Sequence, residues 1–155
     1  MNIFFFFQTP FICIFVLMGK ETIEQHLQEH GIRPTAVRII VWRELVCRSQ
    51  VFSLGDVEQW IPTLDKSSIF RALRLFHDAQ LIHEVDDGSG VTKYCLCRCE
   101  ERGHLNHVHF SCTVCGKTLC LEDQQIPLVA LPDGFEFREA EYIVKGICPR
   151  CSRRR

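Results

Sequence analysis

The sequence has almost no net charge: 18 lysines and arginines stand against 19 aspartates and glutamates, a formal net charge of -1. That balance excludes a chain whose whole surface attracts nucleic acid. Any such partner would have to be met by a local patch. The sequence also lacks a comfortable membrane span. Its long apolar run, 3–17, is interrupted at Gln8, Thr9 and Pro10, and it falls short of the ~20 residues a bilayer core requires. The run lacks the basic start and the small-residue cleavage site of a secretory signal as well. An ordinary polar start, MGKETIEQHL, follows at Met18. Residues 1–17 are therefore expected to be a mis-called start or an apolar extension outside the fold. No internal repeat is present beyond paired cysteines.

What the chain has in quantity is cysteine, ten in 155 residues. Spacing and flanking residues choose between disulfides and metal. Cys112 with Cys115, and Cys148 with Cys151, are CxxC pairs followed or split by Gly116 and Pro149, the turn chemistry of a zinc knuckle. Together they fit a tetrahedral four-thiolate zinc site. Such a site adds folding free energy and has no open position for chemistry. The 32 residues between the pairs are expected to form a β-α-β segment that joins the knuckles. Thiolate ligation implies a reducing compartment, the cytoplasm.

From Lys20 to Leu81 the pattern is helical. Thr22–His30 reads as a short amphipathic helix stopped by Gly31. Thr35 caps a second, with Val37, Ile40, Val41 and Leu45 on its apolar face. Ser53 caps a third, with Val57, Trp60 and Ile61 inward. Asp65 caps a fourth that runs to about Ala79, with Ile69, Ala72, Leu73 and Phe76 inward at helical spacing. Two strand-like runs around DDGSG then predict a hairpin. Helices followed by a hairpin are the order of a winged helix-turn-helix. The outer face of the fourth helix carries Ser67, Phe70, Arg71 and Arg74. Phe70 there suits contact with thymine methyl groups while the arginines reach phosphates or guanine edges; packing of Phe70 on a neighbouring element is the alternative. Residues 100–106 read as a linker. Beyond Cys95, the runs HVHFSCTV, KTLCLE and FEFREAEYIVKGIC read as strands.

His83, Cys95, Cys97, Cys99, His104, His107, His109 and Cys120 remain outside the four-cysteine set. His107 and His109 stand at i, i+2 on a predicted strand, so both rings point to one face. Two such rings beside a cysteine-bearing strand predict a second metal site. A zinc enzyme would need an open metal position and a nearby glutamate as base. The H-x-E pattern of deaminases is absent, although His83 is followed by Glu84, and no enzyme is expected. The CxCxC run is also a plausible redox element, because thiols of low pKa near a metal oxidise readily.

Several of these stretches resemble the ferric uptake regulator (Fur) family of metal-dependent repressors, over essentially all of Lys20–Cys151. GIRPTAVR (Gly31–Arg38) resembles the entry to its second helix. DKSSIFRALRLFHDAQLI (Asp65–Ile82) resembles its recognition helix, whose core usually reads T-V-Y-R. HVHFSCTVCGK (His107–Lys117) resembles its H-x-H-x-x-C-x-x-C-G signature, and PDGFEF followed by GICPRC resembles its ending. The resemblance implies an α+β chain: an N-terminal winged helix-turn-helix, then a small α/β zinc-containing dimerisation domain. The implied boundaries are 18–95 for the DNA-binding domain, 96–106 for the hinge and 107–155 for the dimerisation and metal-binding domain. It implies a homodimer on a double-stranded DNA operator, with no small-molecule substrate and no membrane. Ser68, Phe70 and Arg71 fall where the family contacts bases and backbone. Arg33 falls near a residue that reaches the minor groove. Lys66, Ser67 and Arg74 complete the expected DNA-facing set.

The quartet Cys112, Cys115, Cys148 and Cys151 falls on the family's structural zinc site. At the regulatory positions the chain offers His83, Cys97, His107 and His109, and Cys120, with Cys95 and Cys99 as alternatives to Cys97. Iron-sensing members mostly place carboxylates where Cys97 and Cys120 stand. YCLC (Tyr94–Cys97) resembles the Y-x-x-C of the zinc-sensing branch, and thiolates suit zinc better than Fe(II). A further all-nitrogen-and-oxygen site is not expected, because Asn106 and Val108 flank the H-x-H. The function implied is a zinc-sensing repressor of metal-uptake genes, with structural Zn2+ and regulatory Zn2+ or Fe2+. An iron- or peroxide-sensing repressor of the same fold is the alternative.

Overall fold

The structure is a computed structural model that describes residues 22–48, 51–96, 108–121, 129–137 and 140–154. The chain divides into two compact units, which exchange at Ser49/Gln50, Ser53/Leu54 and Ile82/His83.

The first unit is helical. Helix α1 (Ile23–Glu29) starts at a capping box: the Gln25 N–H donates to Thr22 Oγ1 at 3.2 Å, and the Thr22 N–H to Gln25 Oε1 at 3.0 Å. These two bonds satisfy donors that a helix start leaves orphaned. Helix α2 (Ala36–Arg48) follows Thr35, and α3 (Leu54–Trp60) follows Ser53, as the cap residues predict. Helix α4 (Lys66–Asp78) is capped by Asp65, whose Oδ1 accepts from the Ser68 N–H at 2.9 Å. This contact with Ser68 holds the Asp65 carboxyl below the usual carboxylate range.

Leu27, Val41, Leu45, Val57, Ile69, Leu73 and Phe76 form the buried centre of the unit. They occur at three- and four-residue spacing because each helix turns one stripe inward. Trp42 is buried between His26 and Phe76, with ring centroids 5.3 and 5.2 Å away. Val37 and Ile40 are half-buried.

Helices α1 and α4 end alike. After α1, the Ile32 N–H donates to Leu27 O at 2.8 Å and Gly31 has φ +71. After α4, the Leu81 N–H donates to Phe76 O at 2.9 Å and Gln80 has φ +59. Both are left-handed terminations that satisfy late carbonyls. The first uses glycine, while the second imposes the same turn on a residue with a Cβ.

The second unit contains two three-stranded sheets. Strands β1 (Phe52–Ser53), β2 (Ile82–Val85) and β3 (Lys93–Leu96) lie in the order β1-β3-β2, so the hairpin predicted around DDGSG forms and gains a short third strand. Strands β4 (Val108–Cys112), β5 (Thr118–Leu121) and β6 (Tyr142–Gly146) lie in the order β5-β4-β6. β4 is antiparallel to β5 and parallel to β6.

The third run predicted as strand is narrower than expected. Among the described residues of that run only Tyr142–Gly146 pairs, and Phe135 and Phe137 are 69% and 60% exposed outside any strand. A four-residue helix, α5 (Pro149–Ser152), was not legible in the cysteine spacing. No helix lies between the CxxC pairs among the described residues; 122–128 are outside them. Among the described residues no helix is long and apolar enough to cross a membrane. Residues 1–17 and the linker 100–106 lie outside the described residues.

Candidate metal centres and nucleic-acid face

The first centre is built by parallel strand pairing. β4 ends at Cys112, and its register partner on β6 is Gly146, two residues before Cys148. The Thr113 N–H and Oγ1 both donate to Gly146 O, at 2.8 and 3.1 Å, and so extend the alignment past the strand. A Cβ on Gly146 would lie 2.9 Å from the Phe110 ring, so glycine allows the two strands and that ring to pack this closely.

The CxxC turns consequently meet, and the sulfurs of Cys112, Cys115, Cys148 and Cys151 all lie within 4.8 Å of one another. Cys115 and Cys148 Sγ are 3.9 Å apart. A tetrahedral thiolate site with ~2.3 Å bonds separates its sulfurs by about 3.8 Å, so the donor set fits zinc. Phe110 packs against the buried cysteines and shields one side.

The backbone of each knuckle favours thiolate. The first turn closes with the Gly116 N–H donating to Cys112 O at 2.9 Å, at a φ of +68 that glycine adopts freely. The Cys148 N–H donates to Cys112 Sγ at 3.3 Å. With a second bond from the Cys115 N–H, it pulls the Cys112 thiol down to about 6. The Cys151 N–H lowers Cys148 in the same way. Cys151 goes the other way, pushed up to about 12, because its thiol donates to Cys148 and burial opposes a further negative charge among these sulfurs. A divalent cation among them supplies the charge that lets all four ionise.

The second centre uses the opposite face of β4. Successive strand residues alternate faces, so Cys112 and His109, three apart, point in opposite directions. His109 meets His83 of β2, with ring centroids 5.6 Å apart, and Cys95 of β3. One ligand atom from each of the three lies within 4.8 Å of the others. His109 and Cys95 are buried, and His83 is half-buried. Two imidazoles and a thiol suit a borderline metal such as zinc. Cys120 is the register partner of His109 on β5, and it packs against the cluster of Val51, Val85 and Cys95. The structure thus brings together His83, His109 and the alternative thiol Cys95, with Cys120 alongside. Cys97, Cys99, His104 and His107 lie outside the described residues.

The outer face of α4 carries the expected nucleic-acid set. Phe70 is 47% exposed. Ser67, Arg71 and Arg74 are exposed, and Arg71 Nη2 donates to Ser68 Oγ at 3.2 Å. Lys66 is paired with Glu58, Nζ to Oε2 at 3.0 Å. Arg33 is exposed, and its carbonyl accepts from Arg38 Nη1 at 2.7 Å. Arg38, Ser68, Arg71 and Arg74 line one groove between α2 and α4. Arg38 was within the quoted GIRPTAVR stretch, but only the packing of α2 on α4 aligns it with the other arginines. Sequence reasoning also missed Asp87, Lys93 and Thr118, which form a buried polar knot beside the second centre. Asp87 and Lys93 face each other across the hairpin turn, but Thr118 lies 25 residues beyond Lys93, and no spacing signal joins the three.

The family model for the ferric uptake regulator family matches residues 29–130. Ferric uptake regulation protein 2 of Mycolicibacterium fortuitum is 33% identical over 105 residues, covering 64% of this chain and 68% of that protein. Transcriptional regulator FurA of Mycobacterium tuberculosis is 28% identical over 102 residues, covering 63% and 66%. The chain thus spans about two thirds of the length of these relatives. Among solved structures, the Vibrio cholerae ferric uptake regulator aligns with a TM-score of 0.58 at 16% identity, over 81% of this chain and 98% of that one. A zinc uptake regulator complexed with zinc and DNA aligns with a TM-score of 0.58 at 20% identity, over 84% and 90%. These likenesses establish the fold, an N-terminal winged-helix domain followed by a small α+β domain. By its match over more than half its length, the chain belongs to the ferric uptake regulator family, whose members are metal-responsive transcriptional regulators and not enzymes.

Proposed function

We propose that the protein is a cytoplasmic, dimeric, zinc-responsive repressor of metal-uptake genes that binds a palindromic DNA operator. The observation that carries this reading is the convergence of His83, Cys95 and His109 on a centre separate from the four cysteines. Four thiolates form a closed site that only supports folding. A second site of three ligands, each from a different strand, is a site whose occupancy can be read out. Its thiol, with Cys120 beside it, favours zinc over Fe(II), which prefers nitrogen and oxygen. Cys97 and His107 remain candidate ligands of this site.

In this reading residues 18–95 supply the DNA-binding module, 96–106 the hinge and 107–155 the dimerisation and metal-binding module. Ser67, Ser68, Phe70, Arg71 and Arg74 face the major groove, Arg33 reaches the minor groove, and Lys66 lies at the edge of the contact. Only Ala79, Gln80 and Leu81 separate the end of α4 from β2, which carries His83. Fixing β2 through His83 therefore constrains the chain that leaves the recognition helix. Zinc and operator then bind with reciprocal coupling.

An iron-responsive reading has its own support, since relatives of this chain are named ferric uptake regulation proteins. A single titration separates the two. Affinity for an operator duplex is measured against buffered free zinc, then against ferrous iron, anaerobically and at fixed salt. Binding that switches on with zinc and ignores iron supports the proposal. Iron alone switching it overturns the zinc assignment. A peroxide-sensing variant of this fold would lose free thiols and DNA affinity together on oxidation.

A further inference from the structure

The β2–β3 hairpin is fastened at its turn by the knot that the metal chemistry leaves unused. Asp87 follows β2, and its side chain is 1% exposed. Its carboxylate accepts from Lys93 Nζ and from Thr118 Oγ1. It also accepts from the Ser89 N–H at 3.0 Å. Lys93 Nζ donates in addition to Gly116 O at 2.9 Å and Thr118 Oγ1 at 3.2 Å. Gly116 directly follows Cys115, so the knot joins the hairpin, β5 and the first zinc knuckle. Burial pushes the Asp87 carboxyl up, but the Lys93 ammonium, Ser89 and Thr118 outweigh it and hold the group well below the usual carboxylate range. The knot is thus an ion pair at working pH. Unlike apolar packing, it has direction: a hairpin shifted along the sheet would leave buried charges unpaired.

Strand alternation links this knot to the second centre. Lys93 and Cys95 share one face of β3, and Thr118 and Cys120 share one face of β5. In register, Thr118 pairs with Ser111 and Cys120 with His109. One layer therefore carries the knot at one end and the metal ligands at the other, with Val51, Val85 and Ile143 packed around Cys95. A one-residue slip of β3 would replace Cys95 in that layer by Tyr94 or Leu96.

We propose that Asp87, Lys93 and Thr118 are positioning residues for the His83–Cys95–His109 metal site: they hold the hairpin in place against β5 and tie that site to the four-cysteine knuckle. The proposal rests on the second-site reading above.

The test is a cobalt(II) titration of the full chain with zinc held by the four cysteines, anaerobic and reduced. The thiolate-to-cobalt absorption reports thiol ligation at the second site, and its loss in Cys95→Ser assigns it to Cys95. Wild type is compared with Lys93→Met and Thr118→Val, each checked for zinc content and circular dichroism. Lys93→Met is expected to keep its zinc and bind cobalt at the second site about 10–100-fold more weakly, the usual effect of losing a ligand-orienting partner. Thr118→Val removes one hydroxyl and strands no charge, so it carries the test even if Lys93→Met does not fold; its expected loss is smaller. Folded variants that bind cobalt within about twofold of wild type, with unchanged absorption and only a lower thermal midpoint, overturn the proposal. A wild-type, zinc-loaded chain that takes up no cobalt overturns the second-site reading itself, and the proposal with it.

Discussion

The two candidate metal centres of this chain share strand β4 yet are made in opposite ways. The four-cysteine centre comes from two local turns. Each CxxC presents a backbone N–H to its own first sulfur, the Cys148 N–H reaches across to Cys112 Sγ, and parallel pairing of β4 with β6 brings the turns together. The second candidate centre draws one side chain from each of β2, β3 and β4, and no local turn organises it. A site made by turn geometry holds its metal as a condition of folding. A site made by packing between strands holds metal only in one arrangement of those strands, so its occupancy can shift a conformational equilibrium.

The strongest way to break this comparison is Cys112→Ser. It should cost the second unit its zinc and its folded structure, read by zinc content and circular dichroism. Cys95→Ser, Cys97→Ser and Cys120→Ser should leave that signal intact. If all of them unfold alike, the distinction between a structural and a regulatory centre fails.

Asp87→Asn comes next. It leaves the half-buried Lys93 ammonium beside a neutral amide, and the expected cost is about 1–3 kcal/mol in denaturant unfolding near neutral pH. The sign of its pH dependence follows from the depressed carboxyl. The stabilisation from Asp87 is complete above its unfolded pKa of about 3.9 and is lost as pH falls through the lower folded value. The gap between mutant and wild type should therefore be constant from pH 8 to about 5 and close only in strong acid. A gap that closes between pH 7 and 5 would sink this assignment.

His109→Ala should leave the four-cysteine zinc in place and abolish metal-dependent operator binding, a coupling of ~1–3 kcal/mol. Arg71→Ala should weaken operator binding by ~1–3 kcal/mol at fixed salt with no change in metal affinity. Gln80→Gly is the mildest test. It relieves the left-handed turn after α4 and should stabilise the protein by ~1 kcal/mol, with metal stoichiometry unchanged.

Much of the helical unit was legible because its signals are local. The spacing of Ile69, Ala72, Leu73 and Phe76, the cap at Asp65 and the glycine at 31 all act within a turn or two of helix, and the structure places them as expected. The two CxxC pairs were equally plain. The thiol of the second centre was not. Cys95 and Cys97 are two residues apart, and a strand sends both to the same side, so alternation cannot choose between them. Among the described residues Cys95 meets the histidines, and β3 is aligned by its pairing of Tyr94 with Phe52 and by the knot at Lys93.

By itself, then, the sequence determined the helices with their caps, the hairpin, the two CxxC turns and the family, because each of these is encoded by neighbours along the chain. The tertiary structure alone decided that β4 serves two centres from its two faces, that Cys95 is brought to His83 and His109, and that a buried Asp87–Lys93 pair fastens the hairpin to a knuckle. Those facts depend on register between distant strands, and register is set by pairing and packing that no stretch of sequence carries alone.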